Sequence, residues 1–550
     1  MDSDNPITYF AEVDRRNKRM PFGIKASDRT NHIYTIGKTG MGKSTMLENM
    51  AAQDIKNGNG MAFMDPHGKT ADLLLDYVPE ERIEDVIYFA PFDLENPISF
   101  NVLENVEPDK RHLVVSGLMS AFEKIWVDAW SARMQYILNN ILLALLEYPD
   151  ATLLGVNRML SDKNYRQKVV DNVSDPSVKA FWTDEFAKYG DRYMQEAGAA
   201  IQNKIGQFVS NPIVRNIIGQ TKSSFDIREI MDQKKILIIN LSKGQVGEAS
   251  ANLLGSMLIT KIYLAAMSRA DASQEELNKL PNFYFFVDEF QSFANKSFAD
   301  ILSEARKYKL NLTIAHQYVE QMEEEVKAAI FGNIGTMIIF RLGSYDAEIF
   351  EKEFSPQFTM DDIVNLGFAQ VYLKLMIDGI SSTPFSARTL LPIAKPLISY
   401  KPEIIEMSRK QFTRPRREVE KEIMDWHQPL DKKPVQNEKP ALKKPRQDNN
   451  RIRLNSLQGK KNFKTIGNIK TEKKISSDRT QLREALSKAI QNTQGNSGDE
   501  MKKVLNVPTA KINTWRTEHP ARPINSGGEK KEIPKNVLEK MLYVKRPENK

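Results

Sequence analysis

Residues 37–44 read Gly-Lys-Thr-Gly-Met-Gly-Lys-Ser. This stretch matches the phosphate-binding loop (P-loop) pattern, in which glycines let backbone amides surround a phosphate. The apolar run His32–Ile36 before it predicts a strand, and the residues from Gly42 to about Lys56 predict a helix. A strand before the loop and a helix after it are the required context, because the helix N-terminus adds positive charge at the phosphate.

The P-loop assigns a role to each of its polar residues. Lys43 is expected to bridge the β- and γ-phosphates, and Ser44 to bind magnesium. We therefore expect ATP and Mg²⁺ as cofactors; a plain glycine-rich turn is the alternative. The expected nucleotide-binding residues are Gly37, Lys38, Thr39, Gly40, Met41, Gly42, Lys43, Ser44 and Thr45.

A second motif, Phe283-Tyr-Phe-Phe-Val-Asp288-Glu289, follows the pattern of a buried strand that ends in two acids. The strand end would bring Asp288 to the magnesium ion, and Glu289 could polarise the attacking water. The alternative is an ordinary solvated loop with two acids. Together with the P-loop, the motif predicts an ATPase in which the catalytic glutamate follows the magnesium-binding aspartate.

Further polar residues end predicted strands at the same edge of the sheet. Gln317, with His316 before it, is a candidate sensor of the γ-phosphate, or else a simple strand-end hydrogen bond; His316 is as well explained by packing. Asp65 and His67 lie in the turn Asp65-Pro-His-Gly68, where ligands of open α/β sheets collect, and the alternative is a turn capped by an aspartate.

Two arginines are candidates for contact with a neighbouring subunit. Arg306 lies on the predicted helix that follows the acid pair, and Arg341 ends the predicted strand Met337–Phe340. If the enzyme is a ring, an arginine that reaches the neighbour's γ-phosphate is expected, and Arg306 is the first choice. The alternative for both is a solvated surface position.

The order of predicted elements gives an α/β fold with four parts. Strand–helix alternation before residue 107 predicts a parallel sheet covered on both faces, and strands return after 220. Between them apolar residues recur at helical spacing, which predicts an inserted helical domain. The predicted parts are an N-terminal half of the ATPase domain, the insertion, a C-terminal half and a basic, largely disordered tail, at 1–107, 108–220, 221–395 and 396–550.

Charge divides the chain unequally. Its 550 residues carry a net charge of +7, yet residues 401–550 contain 36 Lys and Arg against 19 Asp and Glu, a net of +17. The remainder is therefore acidic, with a net of −10. A basic tail indicates a polyanionic partner. Two short helices are predicted within it, at Gln481–Ile490 and Asn536–Leu542.

Composition excludes several classes of site. The chain has no cysteine, which excludes disulfides, cysteine–zinc sites and thiol nucleophiles. Its apolar stretches, Ile137–Leu146 and Ala251–Met267, are shorter than the roughly 20 residues of a membrane span or interrupted by Lys261. We therefore expect no transmembrane segment and a cytoplasmic protein.

Five blocks together resemble the TraG/TraD-type coupling ATPases of conjugation and type IV secretion, in the HerA/FtsK superfamily. They are IGKTGMGKST, MDPHGK, FYFFVDEFQSFA, SEARKYKLNLTIAHQY and FGNIGTMIIFRLG, within residues 20–395. The resemblance implies a RecA-like motor that hydrolyses ATP and pumps DNA through a homohexameric ring. It also implies that Asp288 binds the magnesium ion and that Glu289 acts on the attacking water. In the same way it implies Gln317 as a sensor and Arg306 as an arginine finger.

The same resemblance suggests a relaxase or secretion-channel proteins as partners. Membrane-anchored members of the family carry N-terminal transmembrane helices. This sequence begins almost directly with the motor and so resembles the soluble branch. A peripheral position at the inner membrane is the alternative location. Alternative functions are a HerA-like translocase of DNA repair or packaging and an ATP-gated recruitment adaptor. Single- and double-stranded DNA both stay open as substrates.

Overall fold

The computed structural model describes residues 5–15, 18–189 and 198–428. Within them, eleven strands form one sheet, and β11 and β12 form a separate two-stranded sheet. The strands are β1 (Ile7–Arg15), β2 (Lys18–Lys25), β3 (Ile33–Ile36), β4 (Gly60–Asp65), β5 (Val86–Phe89), β6 (Ile236–Asn240), β7 (Phe283–Val287), β8 (Leu310–His316), β9 (Thr336–Ile339), β10 (Gln370–Lys374), β11 (Met376–Ile377), β12 (Ile380–Ser381) and β13 (Phe385–Thr389).

The large sheet has the order β2-β1-β13-β10-β9-β3-β8-β7-β4-β6-β5. Seven neighbouring strands, from β9 to β5, pair in parallel, and the other four add antiparallel pairs at one side. The parallel strands are apolar and almost wholly buried, as expected for a sheet covered on both faces. The α/β fold predicted from the sequence is therefore confirmed.

Helices occupy most connections between these strands, and the last two helices follow β13. They are α1 (Ala26–Arg29), α2 (Lys43–Lys56), α3 (Lys69–Leu74), α4 (Arg111–Ile125), α5 (Ala132–Glu147), α6 (Gly155–Ser161), α7 (Lys163–Asn172), α8 (Pro176–Ala180), α9 (Ala199–Ser210), α10 (Pro212–Ile218), α11 (Ile227–Asp232), α12 (Lys243–Val246), α13 (Glu248–Met267), α14 (Gln274–Lys279), α15 (Ser297–Glu304), α16 (Glu324–Asn333), α17 (Ser344–Phe354), α18 (Met360–Val364), α19 (Lys401–Phe412) and α20 (Arg416–Trp426).

In its described part, the connection from β5 to β6 consists of helices. Helices α4 to α10 fall within the predicted insertion, 108–220. Its buried side chains, such as Phe122 and Leu142, belong to the same hydrophobic cluster as Ile239 and Ile314 of the sheet. Since the cluster is continuous, the division of this region into a separate domain stays a prediction.

The predicted tail begins too early. Helices α19 and α20 lie beyond residue 396 and pack on the body, where the backbone N–H of Tyr88 in β5 donates to Ser408 Oγ across 2.9 Å. Val419 and Ile423 are buried against Leu154. Five of the 12 residues of α19 and seven of the 11 residues of α20 are charged, so by composition both helices resemble the basic tail. The helices predicted at Gln481–Ile490 and Asn536–Leu542 lie outside the described residues.

One segment in the described part of the chain, Glu248–Asp271, is long and apolar enough to cross a membrane by length and composition. Its most apolar window is 78% buried inside the protein. The segment includes α13, which packs against α4 and contributes to the main hydrophobic cluster. Burial of this kind is equally typical of the core helix of a soluble protein, so the segment is weak evidence for a membrane span.

Candidate nucleotide-binding site

The P-loop lies at the carboxyl edge of the parallel strands, between β3 and α2. The backbone N–H of Gly37 donates to the carbonyl of His316 at the end of β8 (3.3 Å), and that of Lys38 donates to the carbonyl of Arg341 just after β9 (2.9 Å). Gly42 has a φ of +110°, a conformation open to glycine but strained for other residues. The loop is thus anchored to two neighbouring strands.

Lys43 begins α2 and extends back beneath the loop. Its Nζ donates to the carbonyl of Gly37 (2.5 Å) and to that of Lys38 (3.2 Å). Burial lowers the pKa of Lys43, while the charges of Glu289 and Asp288 oppose that shift. The ammonium therefore lies in a desolvated position, between the loop and the two acids.

Ser44 and Asp288 join the two sequence motifs directly. Ser44 Oγ donates to Asp288 Oδ2 across 2.8 Å, and the backbone N–H of Asp288 donates to the carbonyl of Met64 in β4 (3.1 Å). Burial raises the pKa of Asp288 to about 6; the bond from Ser44 lowers it, and the charges of Glu289 and Asp65 raise it further. The carboxylate is buried close to two other acids.

The chemistry of this pair fits a magnesium ion. Mg²⁺ takes hard oxygen ligands, commonly one or two protein groups together with phosphate oxygens and water. Ser44 Oγ and Asp288 Oδ2 are such oxygens, and a nearby cation would offset the burial and the repulsion from Glu289 and Asp65 that raise the pKa of Asp288. No group of three or more His, Asp or Glu side chains that could hold a metal occurs among the described residues, so phosphate and water would complete the shell.

Glu289 takes part in a hydrogen-bond chain that reaches the P-loop. Its backbone is left-handed, with φ of +47°. The side-chain Nε2 of Gln317 donates to Glu289 Oε1, and Gln317 Oε1 accepts from Thr39 Oγ1 across 2.9 Å. Gln291 Nε2 donates to Glu289 Oε2. Both carboxylate oxygens are thereby oriented, one of them by the residue predicted as a sensor.

Gln291 is a site residue that the sequence motifs do not identify. Its position two residues after Glu289 is the available signal, because a side chain there can return to the acid when the intervening backbone turns sharply. The segment Phe290–Ser292 is a single 3₁₀ turn and supplies that geometry. His67 Nε2, mostly exposed, lies 3.9 Å from Glu289 Oε1, so one of the two residues of the Asp65–Gly68 turn reaches the site.

Asp65 has the contacts of a helix cap. Its Oδ1 accepts from the backbone N–H of His67 (2.7 Å), and its Oδ2 from those of Thr70 (2.8 Å) and Ala71 (3.0 Å). Oδ2 is thus committed to the first turn of α3, and Oδ1 to the turn that precedes it. The capping alternative describes these contacts, and Asp65 affects the site through its charge on Asp288.

His316 packs in the interior. Its Nδ1 shares a hydrogen bond with the hydroxyl of Tyr34 (3.0 Å), and its Nε2 has no hydrogen-bond partner among the described residues. Burial lowers the pKa of His316 to about 3, and the charges of Lys124 and Lys43 lower it further. The imidazole is therefore neutral at physiological pH.

The two candidate arginines lie at opposite edges of the sheet. Arg306 is exposed just before β8, and its Nη1 donates to Asn31 Oδ1 (3.2 Å) just before β3. That is the amino edge of these strands, away from the P-loop of the same chain. Arg341 lies at the carboxyl edge, where its carbonyl anchors Lys38.

The fold is similar to that of solved structures. The plasmid coupling protein TrwB in complex with ADP and Mg²⁺ aligns with a TM-score of 0.50 at 14% identity, covering 71% of this chain and 96% of that one. TrwB in complex with the GTP analogue GDPNP gives 0.50 at 13%, covering 72% and 97%. No curated protein sequence matches significantly. At these identities the likeness shows a shared fold, that of the TrwB motor.

The structural likeness shows the fold alone, whereas a match to a family model identifies the family of the chain. The model of the type IV secretion-system coupling protein DNA-binding domain matches residues 20–359, more than half of the chain. This range contains the P-loop, the acid pair, Gln317 and both arginines. The protein therefore belongs to the type IV secretion-system coupling protein family.

Proposed function

We propose that the protein is an ATP-hydrolysing DNA translocase that acts as a coupling protein in conjugation or type IV secretion. The observation that carries this proposal is the hydrogen-bond chain from Thr39 through Gln317 to Glu289, beside the Ser44–Asp288 pair. It connects the loop that would hold phosphate to the acid that would orient water. A site of this design is typical of P-loop enzymes that cleave the γ-phosphate.

ATP and Mg²⁺ are the proposed cofactors. TrwB, a relative in fold, has been solved with ADP and Mg²⁺. In this chain residues 37–45 would surround the phosphates and Lys43 would contact the β- and γ-phosphates. Ser44 and Asp288 would hold the magnesium ion, which when bound offsets the negative charge of the β- and γ-phosphates.

Glu289 is the proposed base for hydrolysis. A water oxygen attacks the γ-phosphorus, the bond from that phosphorus to the oxygen of ADP breaks, and the water proton passes to Glu289. Gln317, held by Thr39, fixes the direction of the carboxylate. Positioning of this kind is the main contribution a protein makes to phosphoryl transfer.

DNA is the proposed substrate of the motor. The matching family model is described as a DNA-binding domain. Residues 429–550 add 29 Lys and Arg against 13 Asp and Glu, a net charge of +16 that favours a polyanion. The proposed assembly is a cytoplasmic homohexamer in which Arg306 contacts a neighbour's nucleotide, and its proposed partners are a relaxase or secretion-channel proteins.

The test combines turnover with movement. ATP hydrolysis is measured with no DNA and with single- or double-stranded DNA, and rings are sought by negative-stain imaging. Displacement of a bound roadblock protein from DNA then separates a motor from an adaptor. DNA-stimulated hydrolysis with displacement supports the proposal; hydrolysis without displacement would instead favour an ATP-gated recruitment adaptor.

A further inference from the structure

A lysine from the helical connection between β5 and β6 reaches the segment that follows the acid pair. Lys124 lies in the last turn of α4, and its Nζ donates to the carbonyl of Gln291 (2.6 Å) and to that of Ala294. Burial lowers the pKa of Lys124 to about 8, with Glu323 opposing the shift and Lys243 adding to it. The ammonium is thus largely removed from water and held by backbone carbonyls.

The segment that Lys124 holds is packed closely from other directions as well. A Cβ at Gly255 of α13 would lie 2.3 Å from the ring of Phe293, so helix and ring are in direct contact. Lys243 Nζ donates to Ser292 Oγ across 2.9 Å. Residues 290–294 therefore have little freedom to move independently of α4, α12 and α13.

These bonds extend to the proposed catalytic carboxylate. Gln291 accepts from Lys124 through its carbonyl and donates to Glu289 Oε2 through its side chain. Glu289 in turn accepts from Gln317, which accepts from Thr39 of the P-loop. One continuous chain of contacts therefore joins α4 to the loop that would hold phosphate.

We propose that Lys124 is a positioning residue through which the helical connection holds Glu289 in its catalytic orientation, an inference that rests on the proposed ATP hydrolysis. A shift of α4 that breaks the two carbonyl bonds would turn Gln291 and release one oxygen of Glu289. Nucleotide binding depends on the P-loop, to which Lys124 makes no hydrogen bond, and would be unaffected.

The chain offers a matched control. Lys261 of α13 is likewise half-buried, with its pKa lowered by burial, and it too donates to a backbone carbonyl, that of Glu104 (2.8 Å), which lies outside the nucleotide site. Lys124→Met and Lys261→Met each remove one buried ammonium and keep the apolar stem. Lys124→Arg keeps the cation and its donors.

The experiment measures the affinity for a fluorescent ATP analogue and single-turnover ATP hydrolysis by the full chain. We expect Lys124→Met to slow hydrolysis about 10-fold to 100-fold, as a displaced catalytic group does, with unchanged affinity. Lys124→Arg should recover most of the rate, and Lys261→Met should keep it. Equal rates for the two Met variants would overturn the inference.

A second variant covers the case in which Lys124→Met does not fold. Gln291→Leu breaks the next link with Lys124 intact and is expected to reproduce the loss of rate with unchanged nucleotide affinity. Where Lys124→Met does fold, adding it to Gln291→Leu should cause no further decrease. Normal hydrolysis by Gln291→Leu would overturn the inference. A wild-type protein that hydrolyses no ATP refutes the proposed function and the inference with it, whereas wild-type activity retained in Lys124→Met refutes the inference alone.

Discussion

Ser44 Oγ lies 2.8 Å from Asp288 Oδ2, so the first turn of α2 and the end of β7 meet in one hydrogen bond although 244 positions separate them in the chain. The contact places a carboxylate beside the P-loop whose pKa is raised first by burial and then by the charges of Glu289 and Asp65. Ionised Asp288 is therefore costly in the folded protein. That cost predicts that replacing Asp288 changes the stability of the protein by an amount that depends on pH.

Asp288→Asn is expected to stabilise the nucleotide-free protein at pH 8. Since the pKa of Asp288 is raised to about 6 in the folded state, ionisation disfavours folding above that pH, and the penalty disappears as pH falls toward the unfolded value near 4. The gain at pH 8 is expected to be about 1–3 kcal/mol. Thermal unfolding at pH 8 and pH 4.5 measures it, with exposed Asp300→Asn as the control. A gain of equal size at both pH values would contradict the explanation.

Lys43→Ala and Glu289→Gln are expected to fail at different steps. Removing Lys43 removes the cation that lies beneath the P-loop, so binding of a fluorescent ATP analogue is expected to be lost. Glu289→Gln keeps the shape but cannot accept a proton, so ATP binds and hydrolysis falls by at least about 100-fold. Near-normal turnover by Glu289→Gln would remove Glu289 from the role proposed for it.

Gln317→Glu is expected to be more harmful than Gln317→Ala. The Nε2 of Gln317 donates to Glu289, so a glutamate there would place two carboxylates face to face. At pH 8 we expect hydrolysis by Gln317→Glu to be slower than by Gln317→Ala, and the ratio of the two rates to recover toward pH 6, where the pair can share a proton. The ratio of the two rates is used because the titration of Asp288 affects both variants and cancels in the ratio. A ratio independent of pH would argue against direct contact between the two side chains during turnover.

The main elements of the site could be predicted from sequence because each is local. A strand before residues 37–44 and a buried strand before Asp288 define both motifs, and parallel strands bring their carboxyl ends to one edge. Gln317 could be placed for the same reason. Gln291 and Lys124 could not, because their contacts depend on a 3₁₀ turn and on how α4 packs against it.

The error at the C-terminal boundary has a physical origin too. Helix α20, Arg416–Trp426, buries Val419 and Ile423 and packs Trp426 against Tyr165 of the body. Most of its other residues are charged, so its composition alone resembles that of a tail. Part of its contact with the body, such as the salt bridge of Arg416 with Glu95, depends on residues far away in the sequence. Helix propensity and charge composition cannot reveal contacts between residues so far apart in the sequence.

Two truncations separate the packed helices from the basic segment beyond them. Deleting residues 429–550 removes a net charge of +16 and keeps α19 and α20, so we expect weaker DNA binding and normal thermal stability. The steepness of the plot of log binding constant against log salt concentration should fall by about 0.9 on duplex DNA for every phosphate that the shortened protein no longer neutralises. Deleting residues 396–550 also removes the buried Ile404, Val419 and Ile423, and is expected to lower the melting temperature. An unchanged salt slope after the shorter deletion would indicate that the segment binds a protein or nothing.

The last prediction concerns Arg306, whose place in the fold limits how it can act. It is exposed at the amino edge of β8, opposite the P-loop of its own chain, and so could contact only a nucleotide bound by a neighbour. Arg306→Ala is expected to keep ATP affinity and to lose about 10³-fold or more in hydrolysis, as arginine fingers do. Arg306→Lys should recover little of that rate, because an ammonium lacks the planar fork. The adjacent exposed Lys307→Ala, which loses only a surface pair with Glu304, is the matched control.

Mixing two inactive variants tests the assembly and the chemistry together. In rings made from Arg306→Ala and Glu289→Gln subunits, some interfaces pair an intact Glu289 with an intact Arg306 from the neighbour. Hydrolysis should therefore reappear in the mixture and peak near equal amounts of the two proteins. Mixed rings that form yet stay inactive would mean that Arg306 does not act between subunits or that turnover needs every site intact. Normal hydrolysis by Arg306→Ala alone would transfer the role to Arg341, which lies beside the P-loop at the carboxyl edge.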